Sequence, residues 1–191
     1  MICSSKIRSI AVAAAAALIT MAAEVSAQRA QTSEGHMQQP TIHIPASIRA
    51  EHEEIHSALV AATKAAGRVG AAAKGLAAVL HPHFVREEQI ALPPLGLLEA
   101  LARGEFTPEM RDVLPMTDSL RAELPRMLEE HKAIRAATER LGDAARAENN
   151  LAVARLAEQL AMHARSEEEV FYPTAVLVGD LVRLRLPAPQ R

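Results

Sequence analysis

Residues 51–55 read Glu51-His52-Glu53-Glu54-Ile55, and about thirty residues later the chain reads His83-Phe84-Val85-Arg86-Glu87-Glu88, closing at Pro93. The same phrase returns in the second half as Glu130-His131-Lys132-Ala133-Ile134, followed by His163-Ala164-Arg165-Ser166-Glu167-Glu168 and closing at Pro173. Each half is therefore Glu-His-x-x-Ile, then His-x-x-x-Glu-Glu, then a proline ten residues after the second histidine. One helix pair used twice predicts an all-α, four-helix bundle of approximate two-fold symmetry, with the histidines turned to one centre.

Residues three and four apart share a helix face, so both ends of His-x-x-x-Glu can reach a single ion. Ile48, Ile55, Leu59, Ala62 and Ala66 form an apolar stripe of helical period in which His52 fills the gap. Leu76, Val79 and Ile90 do the same around His83 and Glu87, Leu124, Met127, Ile134 and Leu141 around His131, and Leu156, Leu160 and Val170 around His163 and Glu167. Six ionisable side chains thus stand at positions a bundle buries. Buried carboxylates beside four imidazoles need compensating charge. Two divalent cations supply it: Glu87 and Glu167 cancel two of the four charges, leaving room for a bridging hydroxide or for Glu88 or Glu168. Nitrogen and oxygen donors without thiolate suit iron, manganese, zinc or copper rather than calcium or an iron–sulfur cluster, and spacing does not choose among them.

In these motifs the chain resembles the hemerythrin-like, or HHE cation-binding, domains, over about residues 45–180. That family carries one histidine on the first and third helices, His-x-x-x-Glu on the second and fourth, and a closing proline on the latter two. The resemblance implies an up-down-up-down four-helix bundle around two non-haem iron ions, with dioxygen, nitric oxide or peroxide as the external ligand. It carries over His52, His83, Glu87, His131, His163 and Glu167 as metal ligands. One position departs from the pattern. Oxygen-carrying members have a second histidine four residues after that of the third helix, where this chain has Arg135. The corresponding residue of the first helix is His56, a candidate additional ligand together with Glu88 and Glu168. The departure weighs against reversible oxygen transport.

The 191 residues allow one domain with appendages, and the net charge of −2 with few aromatic rings gives neither a basic patch nor a stacking platform for nucleic acid. Residues 1–27 read as a signal peptide, with Lys6 and Arg8 before an apolar stretch and Val25-Ser26-Ala27 as the cleavage site. The apolar run is short for a bilayer span. The expectation is a secreted or periplasmic protein without a stable membrane span after cleavage, and without cysteine, since Cys3 is removed. Residues 28–44 read as a flexible leader in which His36 and His43 have no role, and residues 45–186 as the bundle. Helices are expected from near Pro45 to Val69, Ala71 to Pro93, Thr117 to Ala147 with Pro125 interrupting, and Asn149 or Asn150 to Tyr172. Pro82 should loosen or kink the second. Short extra helices are expected within 95–116 and from Thr174 to Leu186. No serine, cysteine or lysine constellation for nucleophilic catalysis is present. Two further readings use the same residues: a metal buffer or store without redox chemistry, with iron or zinc, and a metal-free helical interaction domain.

Overall fold

A computed structural model describes residues 42–186, so the expected signal peptide and most of the leader lie outside the described residues. Among those described there are helices and no strand. The helices are α1 (Ala46–Ala62), α2 (Gly67–Ile90), α3 (Leu98–Ala102), α4 (Leu114–Ala147), α5 (Leu151–Ser166) and α6 (Tyr172–Arg185), with 3-10 turns at Pro93–Leu97 and Pro108–Val113. Helix α4 packs along α2, α5 and α6, while α1 packs on α2 and α5. The result is a helical bundle. No described helix is long and apolar enough to cross a membrane.

Several boundaries differ from expectation for local reasons. Helix α1 stops at Ala62 and α2 begins at Gly67, whose φ of +73° suits a residue without Cβ. Gly70 lies inside α2 rather than beyond the end of α1, because a Cβ there would stand 1.8 Å from the Ala65 carbonyl oxygen. Neither Pro82 nor Pro125 ends its helix. Both lie on exposed faces, where the carbonyls they leave unpaired, four residues back, meet water. Asn150 caps α5 as expected, its side chain accepting from the Val153 N–H at 3.2 Å. The expected separate C-terminal helix is instead a continuation of α5: a π-helical turn at Glu167–Phe171 runs straight into α6, with Pro173 in its first turn. The last leader residues are not loose, since Ile44 is buried and Ile42 packs on Leu97, Met110 and Val178.

The apolar core comes in layers. One cluster gathers Ile55, Leu59, Leu76, Leu80, Phe84, Ile134, Leu141, Leu156 and Leu160. A second gathers Ile48, Ile90, Leu92, Leu120, Met127 and Tyr172. Along α1, α2, α4 and α5 with its continuation α6, the sequence places a buried histidine between a member of one cluster and a member of the other, as His52 stands between Ile48 and Ile55. The polar residues therefore form a layer with hydrocarbon above and below. Val79 and Val170, expected in the apolar stripes, are exposed, and so is Ala66.

Candidate metal centre

All six residues carried by the repeat meet in that layer. His52, His83, His131 and His163 are 1–3 % exposed, and Glu87 and Glu167 are 0 % and 1 % exposed. They form two groups, His52, His163, Glu87 and Glu167 in one and His83, His131, Glu87 and Glu167 in the other, with the donor atoms of each group within 4.8 Å of one another. The carboxylates belong to both groups and divide their oxygens between them. In the first group His52 Nε2 is 4.0 Å from Glu87 Oε2 and 3.6 Å from Glu167 Oε1, and His163 Nε2 is 2.9 Å from that same Oε1. In the second, His83 Nε2 is 3.2 Å from Glu87 Oε1 and His131 Nε2 is 3.5 Å from Glu167 Oε2. Donors bonded at about 2.0–2.1 Å to one ion stand roughly 2.9–3.4 Å apart, so small contractions complete either set.

Behind each histidine stands a second carboxylate at Nδ1. His52 meets Glu88 at 3.2 Å, His83 meets Glu130 at 2.9 Å and His131 meets Glu168 at 2.8 Å. His163 Nδ1 lies 3.3 Å from Glu51 Oε1, in ion-pair range though not aligned as a hydrogen bond. Such partners fix the tautomer so that Nε2 is the free donor atom and hold the ring in orientation. Glu88 and Glu168 thus orient histidines and are absent from both donor groups. Glu51 and Glu130 complete the set without having been singled out in the sequence; the signal was their place before His52 and His131 in both copies. Arg135 bonds Glu168, so the residue at the departing position acts on the partner of His131. His56 does not join either group. It is exposed on the outer face of α1, where its ring pairs with that of His81 at 6.1 Å. The same four-residue step keeps Glu87 and Glu167 inside, so it is the packing of α1 and not the spacing that leaves His56 in solvent.

Tyr172 was not foreseen. It is fully buried, and its hydroxyl hydrogen-bonds to Glu87 Oε1 while lying 3.3 Å from His83 Nε2 and 3.1 Å from His131 Nε2. Phe84 lies on the other side, stacked on His52 at 4.1 Å and edge-on to His163 at 5.6 Å.

Electrostatics in the metal-free protein show the strain of burying this set. Burial alone would lower the pKa of His83, but hydrogen bonds and charge from Glu87, with Glu130, outweigh it and raise it to about 9. Burial would likewise raise Glu87, yet hydrogen bonds from His131, His83 and Tyr172 hold it well below the usual carboxylate range. Glu167 is pushed well above that range by burial and by the charge on Glu87. Burial thus disfavours a second negative charge on the carboxylate pair, and the raised His83 favours positive charge beside it. Four donor atoms remain buried without hydrogen-bond partners: His52 Nε2, His163 Nε2, Glu87 Oε2 and Glu167 Oε1. Those are the donors of the first group, and orphaned atoms of this kind are rare unless something binds them. The residues present therefore fit metal ions. Compared with protein families, curated proteins and solved structures, the chain matches none.

Proposed function

We propose that this chain is a hemerythrin-like, up-down-up-down bundle that holds two non-haem iron ions and uses them to bind, sense or react with dioxygen, nitric oxide or peroxide outside the cytoplasm. The observation that carries the reading is the pair of four-donor groups sharing both oxygens of Glu87 and Glu167. Two bridged ions at adjacent positions are what such sharing serves. Iron fits the nitrogen and oxygen donors, with manganese and zinc as the alternatives the same donors accept. Bound there, iron supplies redox chemistry and coordination positions for a small external ligand.

The chain's own residues have three tasks. Glu88, Glu130 and Glu168, with Glu51 nearby, hold the four imidazoles by Nδ1 so that Nε2 points inward. The apolar layers, with Phe84 stacked on His52, keep the six inner residues away from bulk water. Clefts of about 280 Å³ and 330 Å³ reach His52 beside Glu88 and His83 beside Glu130, which gives small molecules and protons an approach from two sides. The place outside the cytoplasm rests on the signal-like reading of residues 1–27.

Metal analysis of protein from its native host, combined with optical spectra with and without dioxygen, tests the reading. The expected result is two irons per chain and a spectrum that changes with the gas. Two zinc ions and no response would leave a metal store, and metal-free protein would reduce the chain to a helical interaction domain.

A further inference from the structure

The two donor groups are built alike but finished differently. We infer that the Tyr172 phenol oxygen is itself a ligand of the metal position served by His83 and His131, and that the position served by His52 and His163 has no such protein ligand. The inference rests on the two-metal reading above and deepens it.

Three observations carry it. First, the hydroxyl is 3.3 Å from His83 Nε2 and 3.1 Å from His131 Nε2, inside the roughly 2.9–3.4 Å that separates donors around one ion at bond lengths near 2.0–2.1 Å. Its hydrogen bond to Glu87 Oε1 places it beside a third donor of the same group, and a cation between the two oxygens would replace the proton that now joins them. Second, the Tyr172 oxygen stands within hydrogen-bonding distance of three donors of the second group, Glu87 Oε1, His83 Nε2 and His131 Nε2, while the four donors of the first group have no hydrogen-bond partner, so the two groups are finished differently. Third, the repeat isolates the cause. Tyr172 stands five residues after Glu167 and before Pro173, where the first half has Leu92 before Pro93. The backbones agree at this point: the Leu92 N–H donates to the Glu87 carbonyl, and the Tyr172 N–H to the Glu167 carbonyl. The same backbone hydrogen bond frames both positions, and the side chains differ, leucine in one half and phenol in the other. Phe84 and its counterpart Ala164 break the symmetry in the opposite sense, closing the first position with an apolar ring. One position is therefore finished by hydrocarbon and the other by a hard oxygen donor.

Coordination balances simply. The O–H bond breaks, the metal–oxygen bond forms, the proton leaves to solvent and no electron moves. A ferric ion bound to phenolate has a visible charge-transfer absorption that histidine and carboxylate ligands do not supply, and that gives the test its readout. The full chain is loaded with ferric iron, iron per chain is counted, and visible absorption and resonance Raman spectra are recorded for the wild type and for Tyr172→Phe. The expected outcome is a visible band with phenolate ring modes in the wild type, and its loss in Tyr172→Phe with the iron count retained. Two irons without phenolate modes in the wild type would overturn the inference and leave the two-metal reading intact. No iron in either protein would overturn both. The Raman result comes from the unaltered chain, so a poorly folding variant does not decide the question.

Discussion

Glu87 and Glu167 each turn one oxygen to each of the two donor groups, whereas every histidine belongs to one group only. Removing a carboxylate and removing a histidine should therefore differ in kind. Glu87→Ala is expected to abolish binding of both ions, and His52→Ala to leave a fraction of protein with one ion at the His83 and His131 position; metal counting on desalted protein distinguishes the two. The carboxylates behind the histidines act more gently. Burial pushes Glu168 up, but hydrogen bonds from Arg135 and His131 outweigh it and keep it ionised at neutral pH. Glu168→Gln should weaken metal affinity about 10- to 100-fold without altering the count at saturation, as competition with a chelator would show. The raised His83 and Glu167 both favour their protonated forms, which metal binding opposes, so affinity should rise with pH and binding in weak buffer should acidify the solution. The six inner residues were legible because each sits at a gap in an apolar stripe and recurs in both copies. Tyr172 was not, because it has no counterpart in the first half, and Glu51 and Glu130, though they recur in both copies, act on histidines of other helices that their own helices do not mark. His56 misled for the converse reason: its spacing within one helix is suggestive, and only the packing of α1 shows that it faces out.

Helices in this chain are decided more by packing than by punctuation. Pro82, Pro125 and Pro173 read as breaks, yet the first two lie on solvent faces of unbroken helices and the third opens α6 after the π-helical turn. That turn was invisible in sequence, since no residue type demands it, and it lies between Glu167 and Tyr172, which meet at Glu87. Glycines make the element scale testable. Gly179 of α6 lies against α4, where a Cβ would stand 2.2 Å from Thr117 Oγ1 and 2.7 Å from its Cβ. Gly179→Ala should destabilise by about 1–3 kcal/mol through overpacking. Gly75, in the interior of α2, has nothing within 4 Å of the same construction. Gly75→Ala should instead stabilise by about 0.5–1 kcal/mol, because alanine loses less backbone entropy on folding. Urea melts of the two variants should move in opposite directions, and a shared direction would mean that the α4 and α6 contact is looser than described.

For the molecule as a whole, ion binding and folding are one balance. With free metal a hundredfold above Kd, two sites add about 5 kcal/mol, which at about 2–4 °C per kcal/mol for a chain of this size lowers the melting temperature by roughly 10–20 °C on chelation. Equal melting curves with and without chelator, for protein that began with stoichiometric metal, would make the ions passengers. The chelated protein should show a characteristic response to pH. His83 has its pKa raised from 6.5 to about 9 on folding, so its contribution is complete below about pH 6.5 and is lost as pH climbs through 9; Glu167, also raised, acts in the same sense. The metal-free bundle is thus expected to weaken between pH 6.5 and 9.5 in urea melts, while the loaded one holds. The distribution of donors has one more consequence. Each half of the chain gives one histidine and one carboxylate to each donor group, with Tyr172 of the second half beside the group of His83 and His131, so neither half alone holds a complete set. Two of the supporting contacts cross over, Glu51 to His163 and Glu130 to His83, while Glu88 and Glu168 stay within their own half. The halves therefore face one another as subunits of an isologous dimer do, joined by the stretch between Ala91 and Val113. A protein cut at exposed Gly104 should travel as one particle while the ions remain, and its two fragments should come apart more readily once they are stripped.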